Sequence, residues 1–279
     1  MPDRFGTALT ALLLWSVLSV TCLAQDFRVN TRVYDVRPSA GQPDKPIVIS
    51  RGYSIFHAGK VYDYIDTIGE VTIFEPAQER FILISQSCMM TTMLPLSEIE
   101  TKVFQGQKHS EEYLRSATGS NNPLERSLVA PIRAQLAPRF AQQYDAGRRR
   151  LKLKNEFIQY EVACSACDSP QIVTAFQQYA DWTARLNYVL HPRVFPAPRV
   201  ALNAVLKEKQ VLPTDVFLHL DMAEGLYLRA THSYQWKLDR SDRSSIHHWE
   251  TLLTRKDMRQ VSFEEFQRTL ASEEQHARR

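Results

Sequence analysis

The chain has 279 residues, 44% of them apolar and 23% charged, with a formal net charge of +3. That balance is ordinary for a globular protein and excludes bulk disorder, which needs low hydrophobicity with high net charge. The charge is also too mild for the concentrated basic face of a nucleic-acid binder, so no nucleic-acid partner is expected.

The N-terminus has the layout of a secretory signal peptide. Arg4 is followed by a short apolar core, Ala8 to Val20, and then by Cys22-Leu23-Ala24, small enough for peptidase recognition. A membrane span needs about 20 apolar residues, which favours cleavage before Gln25 over an uncleaved anchor. Lipidation at Cys22 is a rival, although Thr21 is a poor residue before a lipidated cysteine. Residues 1–24 are therefore expected to leave, and 25–279 to form one exported domain of the periplasm or exterior, with no transmembrane span. Three cysteines then remain, Cys88, Cys164 and Cys167, which cannot all pair within one chain.

The mature chain opens with strands. Phe27 to Val36 alternates, with Phe27, Val29, Thr31 and Val33 on one side. A loop rich in Pro, Gly and Ser, Arg37 to Lys45, leads to four strand-like runs: 46–57, 60–66, 70–74 and 80–85. Connections this short permit only an antiparallel meander, because parallel strands need crossovers of a dozen residues or more.

A helical insertion is expected over about 95–147. Ser97 and Glu100 have capping-box spacing. Leu124, Leu128, Ile132, Leu136 and Phe140 recur every fourth residue, with Pro131 and Pro138 breaking the run into short helices. Strands resume at Arg150 to Asn155 and Glu156 to Cys164. A strong helix follows, capped by Asp168 or Ser169, with Ile172, Phe176, Tyr179, Thr183, Leu186 and Leu190 along one face. Three prolines in His191 to Pro198 end it, and a shorter helix covers 199–209. After a strand at 213–220, Leu226 to Leu238 alternates almost without interruption. Leu226, Leu228, Ala230, His232, Tyr234, Trp236 and Leu238 share its buried side. Two helices close the chain, about 241–257 and 262–275, the second with a Ser262/Glu265 capping box. Clustered strands and helices of this kind predict an α+β fold, a curved half-barrel-like antiparallel sheet with helices on one face.

Four groups of residues could carry function. His232, Tyr234 and Trp236 alternate along the long strand, either lining a ligand cavity or filling the core. Cys164 and Cys167 form a CxxC pair before a helix, a candidate disulfide or redox site; redox activity would need a lowered thiol pKa, which the neighbouring Asp168 opposes. Arg150, Lys152 and Lys154 share one strand face and could contact anions or remain solvated. His247-His248-Trp249-Glu250 lacks the spacing of HExxH, and adjacent histidines diverge by about 100° on a helix, so no metal site is expected. Nucleophile-elbow, phosphate-loop and dinucleotide fingerprints are missing, so neither a catalytic residue nor a cofactor is assigned.

The stretch His57 to Ser85, with Ala58-Gly59-Lys60-Val61-Tyr62-Asp63-Tyr64 at its head, resembles the strand–turn–strand rhythm of LolA/LolB-type periplasmic lipoprotein carriers. The resemblance implies a half-barrel lidded by helices over an apolar cavity, and adds Tyr62 and Tyr64 as ligand-binding candidates. The whole chain also resembles a group of exported bacterial proteins, a likeness that implies no particular activity. The expected function is therefore a non-catalytic binding or carrier protein for an apolar or amphipathic ligand of the cell envelope, a lipid or lipoprotein. Thiol–disulfide exchange through Cys164 and Cys167, or an envelope scaffold making peripheral contacts, are the alternatives.

Overall fold

A computed structural model describes residues 26–38, 46–222 and 225–277. The signal-like segment with Cys22, and most of the loop before Pro46, lie outside the described residues. Twelve strands form one open sheet: β1 (Phe27–Asp35), β2 (Ile47–His57), β3 (Lys60–Ile65), β4 (Glu70–Glu75), β5 (Arg80–Ser85), β6 (Met90–Pro95), β7 (Ala141–Asp145), β8 (Arg150–Lys154), β9 (Ile158–Ala166), β10 (Val211–Leu220), β11 (Leu226–Gln235) and β12 (Arg259–Gln260). Their order is β12-β6-β5-β4-β3-β2-β1-β11-β10-β9-β8-β7. Every pairing is antiparallel except the short β12–β6 pair.

The order contains two meanders. β1 to β6 run outward to one edge, and β7 to β11 run back from the other. The halves meet where β1 pairs β11, from Arg28↔Gln235 to Asp35↔Leu228. Ala58 and Gly59 both have positive φ, the backbone of a two-residue hairpin whose twist suits the β2–β3 pair.

Among the described residues six α-helices accompany the sheet: α1 (Leu96–Thr118), α2 (Pro123–Leu136), α3 (Pro170–Leu190), α4 (Ala197–Glu208), α5 (Arg240–Thr254) and α6 (Phe263–Ala277). The fold is thus α+β, with its main helical layer on one face. Phe27, Val29, Phe56, Val61, Phe74, Phe81 and Leu83 point from the sheet into that layer and meet Ile99 of α1, Phe176 and Leu186 of α3, and Phe263 and Phe266 of α6. Further along the same face, Leu151, Leu153, Tyr160 and Val216 pack against Leu202 and Leu206 of α4.

The opposite face carries α5, a second and smaller cover. Ile55, Tyr62, Val71, Ile73, Ile82 and Ile84 alternate with the first set and pack under Ile246, Trp249 and Leu252. Strands β4 and β5, with Ser54–Phe56 of β2 and Val61–Tyr62 of β3, are consequently buried on both sides. This accounts for the unbroken apolar run Phe81-Ile82-Leu83-Ile84, which a half-wet strand would not carry.

Several sequence expectations need correction. The insertion is not helical to 147: its helices end at Leu136, and Ala141–Asp145 is the edge strand β7. Met90–Pro95 is a strand that the periodicity did not disclose. Pro95, not Ser97, occupies the N-cap of α1 and makes no side-chain cap bond. Pro131 lies inside α2 without ending it, and Phe140 falls beyond the helix. The long strand stops at Gln235; Leu238 then crosses to the α5 side, buried with Trp249, and so does not share the face of Tyr234. Ser169 does cap α3, accepting from the Ile172 amide at 3.4 Å, with Pro170 at the first position.

Candidate functional site

Cross-strand register fixes the aromatic row. Tyr234 lies opposite Val29 and His232 opposite Thr31, so both project with Phe27 and Val29 into the helical layer. Phe176 of α3 meets them edge-on, its ring centre 6.4 Å from His232 and 6.0 Å from Tyr234. The Tyr234 hydroxyl donates to the Pro213 carbonyl at 2.7 Å. The His232 Nδ1 and the Thr31 hydroxyl are 3.0 Å apart, whereas Nε2 is buried and makes no hydrogen bond. Burial, reinforced by the positive field of Arg199, pushes the His232 pKa down to about 4, while Asp215 opposes weakly. The imidazole is therefore neutral at pH 7. Burial also pushes the Tyr234 phenol far up. These two rings are packed side chains, with no proton to exchange near neutrality.

Trp236 differs. It follows the last residue of β11 and is 49% exposed. Its ring stacks on Tyr234 at 5.4 Å and leans on Phe27 at 6.0 Å. Beside it opens a groove of about 500 Å³, lined by Asp26, Cys167, Asp168, Ser169, Ile172 and Trp236. The aromatic row thus runs from the packed interior to a solvent-facing mouth at the N-terminal end of α3.

Tyr62 and Tyr64 belong elsewhere. Both face α5, across the sheet from His232, Tyr234 and Trp236, so the structure does not bring the five rings together. Trp249 stacks on Tyr62 and Tyr64 at 6.2 and 5.8 Å. The Tyr62 hydroxyl donates to Glu250 at 2.6 Å. Glu250 also meets Lys60 at 3.0 Å, and Lys60 meets Glu75 at 2.7 Å, which in turn pairs with Arg80 at 2.6 Å. Burial raises the Glu75 and Glu250 pKa values, but hydrogen bonds from Lys60, Arg80 and Tyr62 outweigh it and leave both below the ordinary range. The tetrapeptide around Trp249 therefore anchors α5 through Trp249 and Glu250, while His247 and His248 remain exposed. Among the described residues, no group of three His, Cys, Asp or Glu side chains is placed to hold a metal ion.

Cys88, Cys164 and Cys167 are free thiols. Cys164 lies two residues before the end of β9, partly buried beside the α4 cluster, and burial pushes its pKa up to about 11. That is the opposite of what a nucleophilic thiolate needs. Cys167 sits by the groove, its Sγ 3.5 Å from the Ser169 carbonyl. On β8, Lys152 is paired with Glu161 at 2.8 Å, and Arg150 and Lys154 are exposed. Acidic Asp145, Glu161 and Asp215 line the shallow depression around Arg150 and Lys152. This is a solvated, charge-balanced face.

Sequence reasoning missed the arginines on the outer face of the sheet centre. Arg28, Arg32, Arg51 and Tyr53 line a groove of about 770 Å³ together with Asn30 and Ser233. The signal was available: Arg28 and Arg32 alternate with the inward Phe27, Val29, Thr31 and Val33. Only pairing with β2, however, sets Arg32 opposite Arg51. No helix of the described residues is long and apolar enough to cross a membrane. No protein-family model matches the chain, and a search of the curated proteins found no match.

Proposed function

We propose that the protein is a non-catalytic binding or carrier protein of the cell envelope, taking an amphipathic ligand whose apolar part lies against Trp236. The observation that carries this reading is the half-exposed indole at the end of an aromatic row, lining a groove with Ile172 and Cys167. The signal-like N-terminus supports an exported location, and the meander resembling the LolA/LolB carriers supports a lipid-class ligand. The site differs from an enclosed carrier cavity. His232 and Tyr234 form the packed base of the row, and the ligand lies on its exposed end.

Covering the open half of one indole removes on the order of 100 Å² of apolar surface, which contributes about 2.5 kcal/mol. Oleate is a suitable probe. Titration should give a saturable change in tryptophan fluorescence, and Trp236→Ala should weaken binding by about tenfold or more with the melting transition retained. Absence of saturable binding, or equal affinity in Trp236→Ala, would overturn the proposal. Native mass spectrometry of protein taken from its own envelope, followed by solvent extraction, should release a stoichiometric amphiphile.

A further inference from the structure

We infer that the outer face of the sheet centre is a second ligand site, for a phosphate group, held between Arg32 and Arg51. The site lies across the sheet from the Trp236 groove and is independent of it. Arg32 of β1 and Arg51 of β2 are direct cross-strand partners, and both side chains are exposed. Neither guanidinium has an ion pair or side-chain hydrogen bond among the described residues, although ion pairs are abundant elsewhere in the molecule. Like charges placed directly opposite on adjacent strands are destabilising. A dianion between them reverses that sign, and two guanidinium forks match the oxygens of a phosphate.

The surroundings fit this occupant. Arg28, on the same face of β1, is already committed to Asp242 of α5 at 2.7 Å and lies over the Tyr53 ring at 3.8 Å. Together these contacts close one side of the groove with a neutral wall. Ser233 and Thr231 of β11 border it with hydroxyls that can donate to phosphate oxygens. Among the described residues Asp66 is the carboxylate of the lining; its amide donates to the Arg51 carbonyl at 2.9 Å, which sets it beside Arg51, but no ion pair joins its side chain to Arg32 or Arg51 among those residues. The lining therefore holds three arginines against Asp66 and the Asp242 partner of Arg28, a net positive groove. A depression of about 770 Å³ has room for a phosphomonoester with its substituent, beyond a bare ion.

The test uses the mature full chain with two probes: inorganic phosphate, and vesicles of phosphatidylcholine with or without phosphatidic acid. Phosphate at matched ionic strength should bind saturably by calorimetry and raise the melting temperature above that in chloride. Arg51→Gln and Arg32→Gln should each lose at least tenfold in affinity. In phosphate-free buffer each variant should melt no lower than the parent, because the like-charge pair is relieved. Trp236→Ala should leave the phosphate response unchanged, which separates this site from the amphiphile groove. Binding of inorganic phosphate alone identifies a soluble phosphate compound as ligand class. Binding only to vesicles containing phosphatidic acid, lost in Arg32→Gln/Arg51→Gln, identifies a lipid headgroup. Absence of saturable binding to both probes by the parent protein overturns the inference, as does binding that the double variant retains.

Discussion

His232 shows how a single side chain with a buried ring nitrogen converts position into pH dependence. In the unfolded chain it takes up a proton near pH 6.5, but in the fold burial and Arg199 hold it neutral down to about pH 4. The unfolded state therefore binds more protons between these values, and stability falls as pH falls through that window. The Glu75 and Glu250 carboxyls act in the same direction but lower. Their pKa values lie below the ordinary 4.5, so the stability they contribute persists until more acid conditions. Asp63 acts oppositely. Burial raises its carboxyl pKa despite hydrogen bonds from Ser54 and Tyr179, so acidification relieves it. Comparing His232→Gln with the parent isolates one contribution from this mixture. Urea unfolding at pH 7, 6 and 5 should show the parent losing stability on acidification by on the order of 1–2 kcal/mol more than the variant. Equal pH slopes would show that His232 titrates normally in the fold. The alternation that aims His232 inward was legible in the sequence. Its missing Nε2 partner was not, because that depends on what Phe176 and α3 bring from 56 residues away.

At the scale of elements, legibility followed the strength of the local signal. β2 to β5 were recoverable because tight turns separate short β-branched and aromatic runs, and α3 because a Ser-Pro start precedes a regular apolar face. β6 and β7 left weaker traces. Met90-Thr91-Thr92-Met93-Leu94 is buried at nearly every position, so it has no period, and Ala141-Gln142-Gln143-Tyr144-Asp145 is a polar edge strand identified by its pairing with β8. The docking of α1 on α3 was equally hidden. A Cβ built on Gly106, in mid-helix, would overlap the Tyr188 hydroxyl and ring. Tyr188 is itself buried, stacked on Phe195 at 4.8 Å, and has little room to retreat. An isolated helix would gain about 1 kcal/mol from Gly106→Ala. Overpacking costs roughly 1–3 kcal/mol, so the net effect should be destabilising, with a lower melting temperature. Gly106→Ala with Tyr188→Phe should recover part of the loss, since the overlapping hydroxyl is removed. A melting temperature raised by Gly106→Ala alone would show that α1 and α3 are not in contact here. On the other face, Trp249→Ala should cost about 3–5 kcal/mol, because that ring is the centre of the α5 contact with Tyr53, Tyr62 and Tyr64. Limited proteolysis would then cut within or just before α5 first.

The whole molecule depends on one seam. Each meander is built from near neighbours in sequence, and either could form its own pairs without the other. β1 joins them, paired to β2 within its own meander and to β11, about 200 residues later, in the other. Such long-range pairing carries a loop-closure cost and forms late, yet once formed it places the first described strand at the centre of the sheet. Neither the join nor the presence of covers on both faces could be seen in strand periodicity. Alternation gives the face of each residue but not the neighbour of each strand. If the seam is the main tie, the two halves should unfold together only while it holds. Val29, buried and opposite Tyr234 on one side and Ser54 on the other, lies within it. Proline at this position would remove a ladder amide from a strand bonded on both edges, where proline is not tolerated without disrupting the ladder. Threonine keeps the β-branched shape and the amide, and costs only the burial of a hydroxyl. In Val29→Pro, thermal unfolding should split into two transitions, and amide exchange in β11 should accelerate while β4 and β5 stay protected. Val29→Thr should melt lower but in a single step. One cooperative transition in Val29→Pro, with β11 as protected as β4, would show that contacts between the helices, rather than the β1–β11 ladder, hold the halves together.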